Sequence, residues 1–509
     1  LKQKYGMIDI GSNTMRLVIY ELKNEKSIRQ IENVKVVARL RNYLDHHNML
    51  TDEGIEVLVN TLKSFQVITR HHTLEKVNCM ATATIRQAKN KQTIMDIVAK
   101  ETDFTMNVFS EYEEAYYGFL AVIHSTSIQE GITIDIGGGS TEVTYFRNRE
   151  LVEYHSFPFG ALSLKLQFVK DNIPTLKERE QIKAFILSQF QSLPWLKHIN
   201  VPIVAIGGSA RNMVQLHQSF TQYPLAGVHQ YEMSYEDICY VQEKVEALTY
   251  QEIQKLEGLS KDRADTIVPA IQVFNTLCQV TDSKQFILSR KGLREGVFFG
   301  EIIKRHPETL RSDVLEKSLR ELMEDFEINS EHVKQIHKLS QIVFQQIREH
   351  YSTCLHEEDV KLLERAAKVF HLGEYIDSES SSQHTFYLLA NRTIDGLNHK
   401  ERLKLALVAS YKGKSAFKQY IEPFKGWFHK EEYKKLLMLG AILKFTHSLN
   451  ATKRDVVDHL KITVRDGELC MSIMCNSDYR AEEYQAEKQK KHLEKVLKVP
   501  VDLQFSLTL

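Results

Sequence analysis

Two carboxylates, Asp135 and Glu142, bracket three consecutive glycines in the stretch Gly131-Ile132-Thr133-Ile134-Asp135-Ile136-Gly137-Gly138-Gly139-Ser140-Thr141-Glu142. Apolar residues lead up to Asp135, and Val143-Thr144-Tyr145-Phe146 follows Glu142, so the segment reads as a β-hairpin with a glycine turn. Glycines at 137, 138 and 139 let the backbone approach a ligand without Cβ interference and aim several N–H groups at one anion. Flanking carboxylates would repel a bare phosphate unless a hard cation sat between them, which points to phosphate with Mg²⁺. The alternative is a hairpin that is merely glycine-rich.

The pattern occurs twice. Gly6-Met7-Ile8-Asp9-Ile10-Gly11-Ser12-Asn13-Thr14 runs into Arg16-Leu17-Val18-Ile19-Tyr20, again strand, Asp-Ile-Gly, polar turn, strand. Both copies put the Asp at the end of a buried strand, which argues for two similar lobes facing each other across a cleft. A third anion-friendly turn, Gly207-Gly208-Ser209, stands between a strand from Val201 and a helix start. Two further side chains have chemistry to offer. Arg86 follows the small residues Ala81-Thr82-Ala83-Thr84, and its planar fork suits phosphate oxygens, the alternative being a solvated or salt-bridged Arg. Glu114 lies in the first turn of a helix beginning at Ser110, where Glu113 completes a capping box. A first-turn carboxylate is favoured by the helix dipole, whereas a helix crossing between lobes would turn Glu114 into the cleft to activate a water.

These residues need a large scaffold. The chain has 509 residues, too many for one core, and 43% are hydrophobic. Its 66 basic and 66 acidic residues cancel, so affinity for a polyanion must come from local patches. Six scattered cysteines without CxxC spacing read as reduced thiols. With no leader and no run of 18 apolar residues, a soluble cytoplasmic protein without integral membrane contact is expected. Beyond Pro307 the texture becomes helical to about Leu449, followed by strands, a charged helix from Arg480 and a last strand from Val501. The expected domains are 1–124, 125–306, 307–452 and 453–509. No GxxxxGK[ST] loop occurs, which excludes P-loop chemistry.

At Asp9 to Thr14, Ala81 through Arg86 to Asn90, Glu113-Glu114-Ala115, Asp135 to Glu142 and Gly207 to Asn212, the chain resembles the exopolyphosphatase and guanosine pentaphosphate phosphatase (Ppx/GppA) family. The resemblance implies an α/β fold of two ribonuclease-H-like lobes, as in the actin, sugar kinase and chaperone ATPase superfamily, with an all-α HD-like domain and a small α/β terminal domain. It implies that Glu114 is the catalytic carboxylate, that Asp135, Glu142 and Asp9 hold Mg²⁺ or Mn²⁺, and that Arg86 clamps the terminal phosphate. Amides at Gly11 to Asn13, Gly137 to Ser140 and Gly207 to Ser209 would cradle it. The sequence departs from the family at Glu111 and Tyr116, where Gly and Arg are usual, so Glu111 and Glu113 stand beside Glu114 as alternative acids.

An HD metal site requires adjacent His and Asp, but Leu372 follows His371, so His332, His371 and His384 read as core or surface residues. The reaction implied is processive removal of terminal phosphate from inorganic polyphosphate by water. The rivals are hydrolysis of guanosine pentaphosphate to the tetraphosphate, an ATP-dependent kinase, and a non-catalytic polyphosphate or alarmone sensor. Lysines 412, 414, 488, 490, 491, 495 and 498 offer a track for a long anion or a solvated face, with no nucleic acid polymer as partner. The resemblance further implies a homodimer.

Overall fold

The computed structural model describes residues 2–23, 27–305, 313–351, 354–465 and 467–508. The expected boundary between residues 306 and 307 lies outside them. Two compact units emerge, one of Leu1–Tyr223 with Val228–Val314, the other of Pro224–Gly227 with Leu315–Leu509.

The first unit holds two sheets. One is built from β1 (Lys2–Ile10), β2 (Met15–Lys23), β3 (Ser27–Val36), β4 (Lys76–Ala81) and β5 (Met106–Val108), in the order β3-β2-β1-β4-β5. The other contains β6 (Glu130–Ile136), β7 (Thr141–Arg147), β8 (Glu150–Phe157), β9 (Ile203–Ile206), β10 (Tyr231–Ser234) and β11 (Gln285–Leu288), in the order β10-β11-β9-β6-β7-β8. In each, a three-strand antiparallel meander continues into parallel strands from the first strand of the hairpin. The internal duplication read from the sequence is thus a duplication of topology.

Strand alternation decides which way the acids face. Ile8 and Ile10 enter the core of the first lobe, while Tyr5 and Met7 pack on the other face against Phe298. Asp9 therefore shares its face with the helix Leu293–Arg305. In the second lobe Ile132, Ile134 and Ile136 enter the core, leaving Asp135 on the opposite face. That face is covered by the helix Glu111–Ile123, whose Phe119 meets Phe146 of β7. Each lobe is thus roofed by a helix from beyond its own sheet, and the two helices touch where Gly296 abuts the Tyr117 carbonyl.

In the second unit the helices between Val314–Asp325 and Lys430–Ser448 are followed by a sheet of β12 (Val457–Arg465), β13 (Glu468–Cys475) and β14 (Val501–Leu507), with the helix Arg480–Leu497 between the last two strands. His332 and His371 lie against His447, with ring centroids 5.4 and 5.2 Å from it, and His371 Nδ1 is 3.0 Å from Glu374. Among the described residues no helix is long and apolar enough to cross a membrane.

Candidate active site

A polar pocket between the two lobes is lined by Asp9, Gly11, Ser12, Asn13, Glu114, Asp135, Gly137, Gly138, Ser140, Glu142, Gly207 and Gly208. Three sequence-expected residues do not line it. Gly139 is buried beside Ser12, and Ser209 turns its hydroxyl to the Ile136 carbonyl. The third, Arg86, pairs with Glu114 and donates to the Phe109 carbonyl at 3.0 Å, so its guanidinium holds the acid rather than facing open space.

Peptide planarity sets the cradle. The Gly11 N–H is spent on Thr14 O and the Gly137 N–H on Ser140 O, the same turn in both copies, so neither amide is free for a ligand as expected. Carbonyls of Gly137 and Gly138 accept from Ala161 N and Ser163 N, each at 2.9 Å, which points the N–H of Gly138 and of Gly139 away from that helix. Likewise the Ser12 and Asn13 carbonyls accept from Arg41 N and Arg39 N, turning the Asn13 and Thr14 N–H groups the other way. Gly160 packs so closely on this turn that a Cβ there would come within 2.5 Å of Gly137 O. Gly207 has φ +85°, and its Cβ would lie 2.3 Å from Asp135 Oδ1, so only glycine serves.

Asp135 and Glu142 are direct cross-strand partners, and Ser156 on the next strand donates to Glu142 Oε1 at 3.0 Å. Burial, then repulsion from Glu142 and Asp9, raises the Asp135 pKa to about 7. Burial followed by the Glu142 charge likewise raises Glu114 well above the usual carboxylate range, against the pull of Arg86. Glu142 is also raised by burial, against hydrogen bonds from Ser140 and Ser156.

In the first lobe one of the two equivalent positions carries the opposite charge. Asp9 pairs across the hairpin with Arg16 as Asp135 does with Glu142, and its carboxylate lies 3.0 Å from Arg294 Nη1. Arg211, Arg263, Arg290 and Lys35 also line the pocket. Burial and the charges of Arg16, Arg294 and Arg290 lower the Arg211 pKa to about 10. These cations escaped the sequence reading, although Arg16 stands where the duplication places Glu142. The pocket thus has an acidic wall of Asp135, Glu142 and Glu114 and a basic wall rich in arginine.

Among the described residues no three His, Cys, Asp or Glu side chains form a metal cage. The Asp135 and Glu142 carboxylates instead fit a cation that takes one or two carboxylates and completes its shell with water and phosphate oxygens, as Mg²⁺ does. Asp9 is already neutralised by Arg294. Glu113 is occupied in its capping box with Ser110, and Glu111 is exposed.

Comparison with known proteins agrees with this architecture. The model of the Ppx/GppA phosphatase family matches residues 18–305, and that of Ppx/GppA phosphatase domain III matches residues 314–494. A guanosine-5'-triphosphate,3'-diphosphate pyrophosphatase of Pseudoalteromonas translucida is 24% identical over 479 residues, covering 92% of this chain and 91% of the relative. The protein of the same name from Vibrio vulnificus is 23% identical over 414 residues, 80% of each chain. The crystal structure of the Aquifex aeolicus Ppx/GppA family member is 27% identical, covers 60% of this chain and 99% of its own, and superposes with a TM-score of 0.53. An exopolyphosphatase from Cytophaga hutchinsonii, 22% identical, shares the fold with a TM-score of 0.54 over 59% of this chain and 98% of its own. With duplicated lobes around a pocket lined by glycine turns, and both family models matched in succession, this chain belongs to the Ppx/GppA phosphatase family.

Proposed function

We propose that the protein hydrolyses the terminal phosphoanhydride of inorganic polyphosphate, releasing orthophosphate processively, with Mg²⁺ or Mn²⁺ as cofactor. The observation that supports it most is the two-walled pocket, acidic at Glu114, Asp135 and Glu142, basic at Arg16, Arg211, Arg263, Arg290 and Arg294. Phosphoryl transfer asks mainly for positioning and charge neutralisation. Amides of Asn13, Thr14 and Gly138 hold the terminal phosphoryl group, and the arginines take the phosphates behind it. A bound Mg²⁺ on Asp135 and Glu142 supplies the neutralisation that lets the anion approach these carboxylates. Glu114 orients the attacking water and accepts its proton, a role worth about 10²- to 10⁴-fold in rate. Burial, then the Glu142 charge, raises its pKa, which makes it a stronger base than an ordinary carboxylate. Arg86 keeps Glu114 in place and favours its ionised form.

Hydrolysis of guanosine-5'-triphosphate,3'-diphosphate is the second reading, favoured by the names of the two relatives that match most of this chain. Against it, none of the described residues lining the pocket is aromatic, so a guanine base has no ring there to stack on. Timed orthophosphate release from both substrates, side by side and at equal terminal-phosphate concentration, tests the choice. The proposal expects a higher kcat/KM on polyphosphate, and the reverse order overturns it in favour of the nucleotide. Lysines of the second unit and a homodimer arrangement would extend the contact with a long chain, and the protein would act in the cytoplasm.

A further inference from the structure

A group of charges at the rim of the pocket joins the two lobes of the first unit. Lys35 Nζ lies 2.9 Å from Asp262 Oδ2, Arg39 Nη1 lies 3.4 Å from Asp265 Oδ2, and Arg39 Nη2 donates to the Asp262 carbonyl at 3.2 Å. Lys35 is the last residue but one of β3 and Arg39 follows that strand in the first lobe, whereas Asp262 and Asp265 flank Arg263 in the second.

On each side the backbone leads to a phosphate turn. Arg39 N donates to Asn13 O at 2.9 Å, and Arg41 N to Ser12 O at 3.1 Å. Across the cleft, Ser260 N donates to Asn212 Oδ1 at 2.6 Å and Arg263 Nη1 to Ser209 Oγ at 3.1 Å. Arg263 also packs against Gly208, where a Cβ would meet its guanidinium at 2.2 Å. Arg39 itself sits at φ 45°, ψ 43°, a left-handed conformation unfavourable for a non-glycine residue and kept here by the bonds on either side. Asp265 is buried, with its Oδ2 turned to Arg39.

We infer that Arg39 and Asp265, with Lys35 and Asp262 beside them, are positioning residues. They form a clasp that fixes the separation between the Ser12–Asn13 turn and the Gly207–Ser209 turn and keeps Arg263 over the cradle. The kinetic consequence rests on the hydrolytic reading, since a phosphate gripped from both lobes reacts only at the right spacing, and a displacement of about 1 Å costs on the order of 10²-fold in rate.

The test uses the full chain, with spin labels on unnatural side chains at exposed Glu53 and Glu243, one in each lobe. Arg39→Gly removes the guanidinium while tolerating the left-handed backbone, and Arg39→Asp is paired with Asp265→Arg to exchange the charges. The inference expects a broader inter-lobe distance distribution in Arg39→Gly and Arg39→Asp, narrowing again in the exchanged pair. On tripolyphosphate with Mg²⁺ it expects kcat to fall about tenfold or more in the single variants, with KM changed less, and to recover in the pair. Distances unchanged in both single variants overturn the clasp. So does a pair that restores neither distance nor kcat while its melting temperature matches that of the wild type. A wild type that releases no phosphate overturns the hydrolytic reading alone, because the distance measurement still decides the clasp.

Discussion

Glu114 and Asp135 are carboxylates whose charge the fold resists, and each makes a pH-dependent prediction. Because burial and Glu142 raise the Glu114 pKa, its protonated form persists above the usual carboxylate range. The acid limb of kcat/KM should therefore lie above the ordinary Glu value and vanish in Glu114→Gln, as a pH-rate profile would show. Asp135 is raised from 3.8 to about 7, so the folded protein binds this proton more tightly than the unfolded chain. Its contribution to stability is full below about pH 4 and is lost as pH rises through about 7. Without added metal, Asp135→Asn should thus melt higher than the wild type at pH 8, by roughly 1 to 3 kcal/mol, with no gain at pH 4. Equal melting at both pH values would contradict the repulsion seen at this wall. Asp9 and Asp135 were legible as residues of the pocket because each stands at the end of an apolar strand before glycine, and Glu114 because it lies in the first turn of a capped helix. The role of Arg86 was less so, since nothing in Ala81-Thr82-Ala83 reveals that its partner is Glu114, 28 residues on.

At the level of elements, the Asp-Ile-Gly repeat foretold two equivalent hairpins, and both sheets carry them at equivalent places. The repeat also held an unread signal. Position for position, Arg16 replaces Glu142, so duplication of the backbone came with inversion of charge on one wall. Arg263 and Arg294 were harder to find, because their place depends on how distant segments fold back over the cleft. The third turn relies on Gly207, whose left-handed backbone and contact with Asp135 both exclude a side chain. Gly207→Ala should cost roughly 1–3 kcal/mol in denaturant unfolding and displace the Asp135 carboxylate. A neutral substitution there would show that the turn is not built on that close approach.

On the scale of the whole molecule, the lysines of the tail gain a geometry that sequence alone left undecided. Lys488, Lys491 and Lys495 are exposed at three- and four-residue spacing along one face of the helix Arg480–Leu497, whereas Lys490 is paired with Glu487. If this stripe carries a long anion, replacing all three by Ala should weaken binding of long polyphosphate and flatten its salt dependence by about 2 to 3 in log–log slope. Turnover of tripolyphosphate, too short to need a track, should not change. An unaltered salt slope would leave the stripe as a solvated face. The central claim, that an acid on a crossing helix delivers water to a phosphoanhydride end, is tested most directly by orthophosphate release from inorganic polyphosphate with Mg²⁺, comparing wild type with Glu114→Gln. Rapid release by the wild type and a loss of about 10²-fold or more in the variant, with polyphosphate still bound, is the predicted result. Undiminished release by the variant would contradict it.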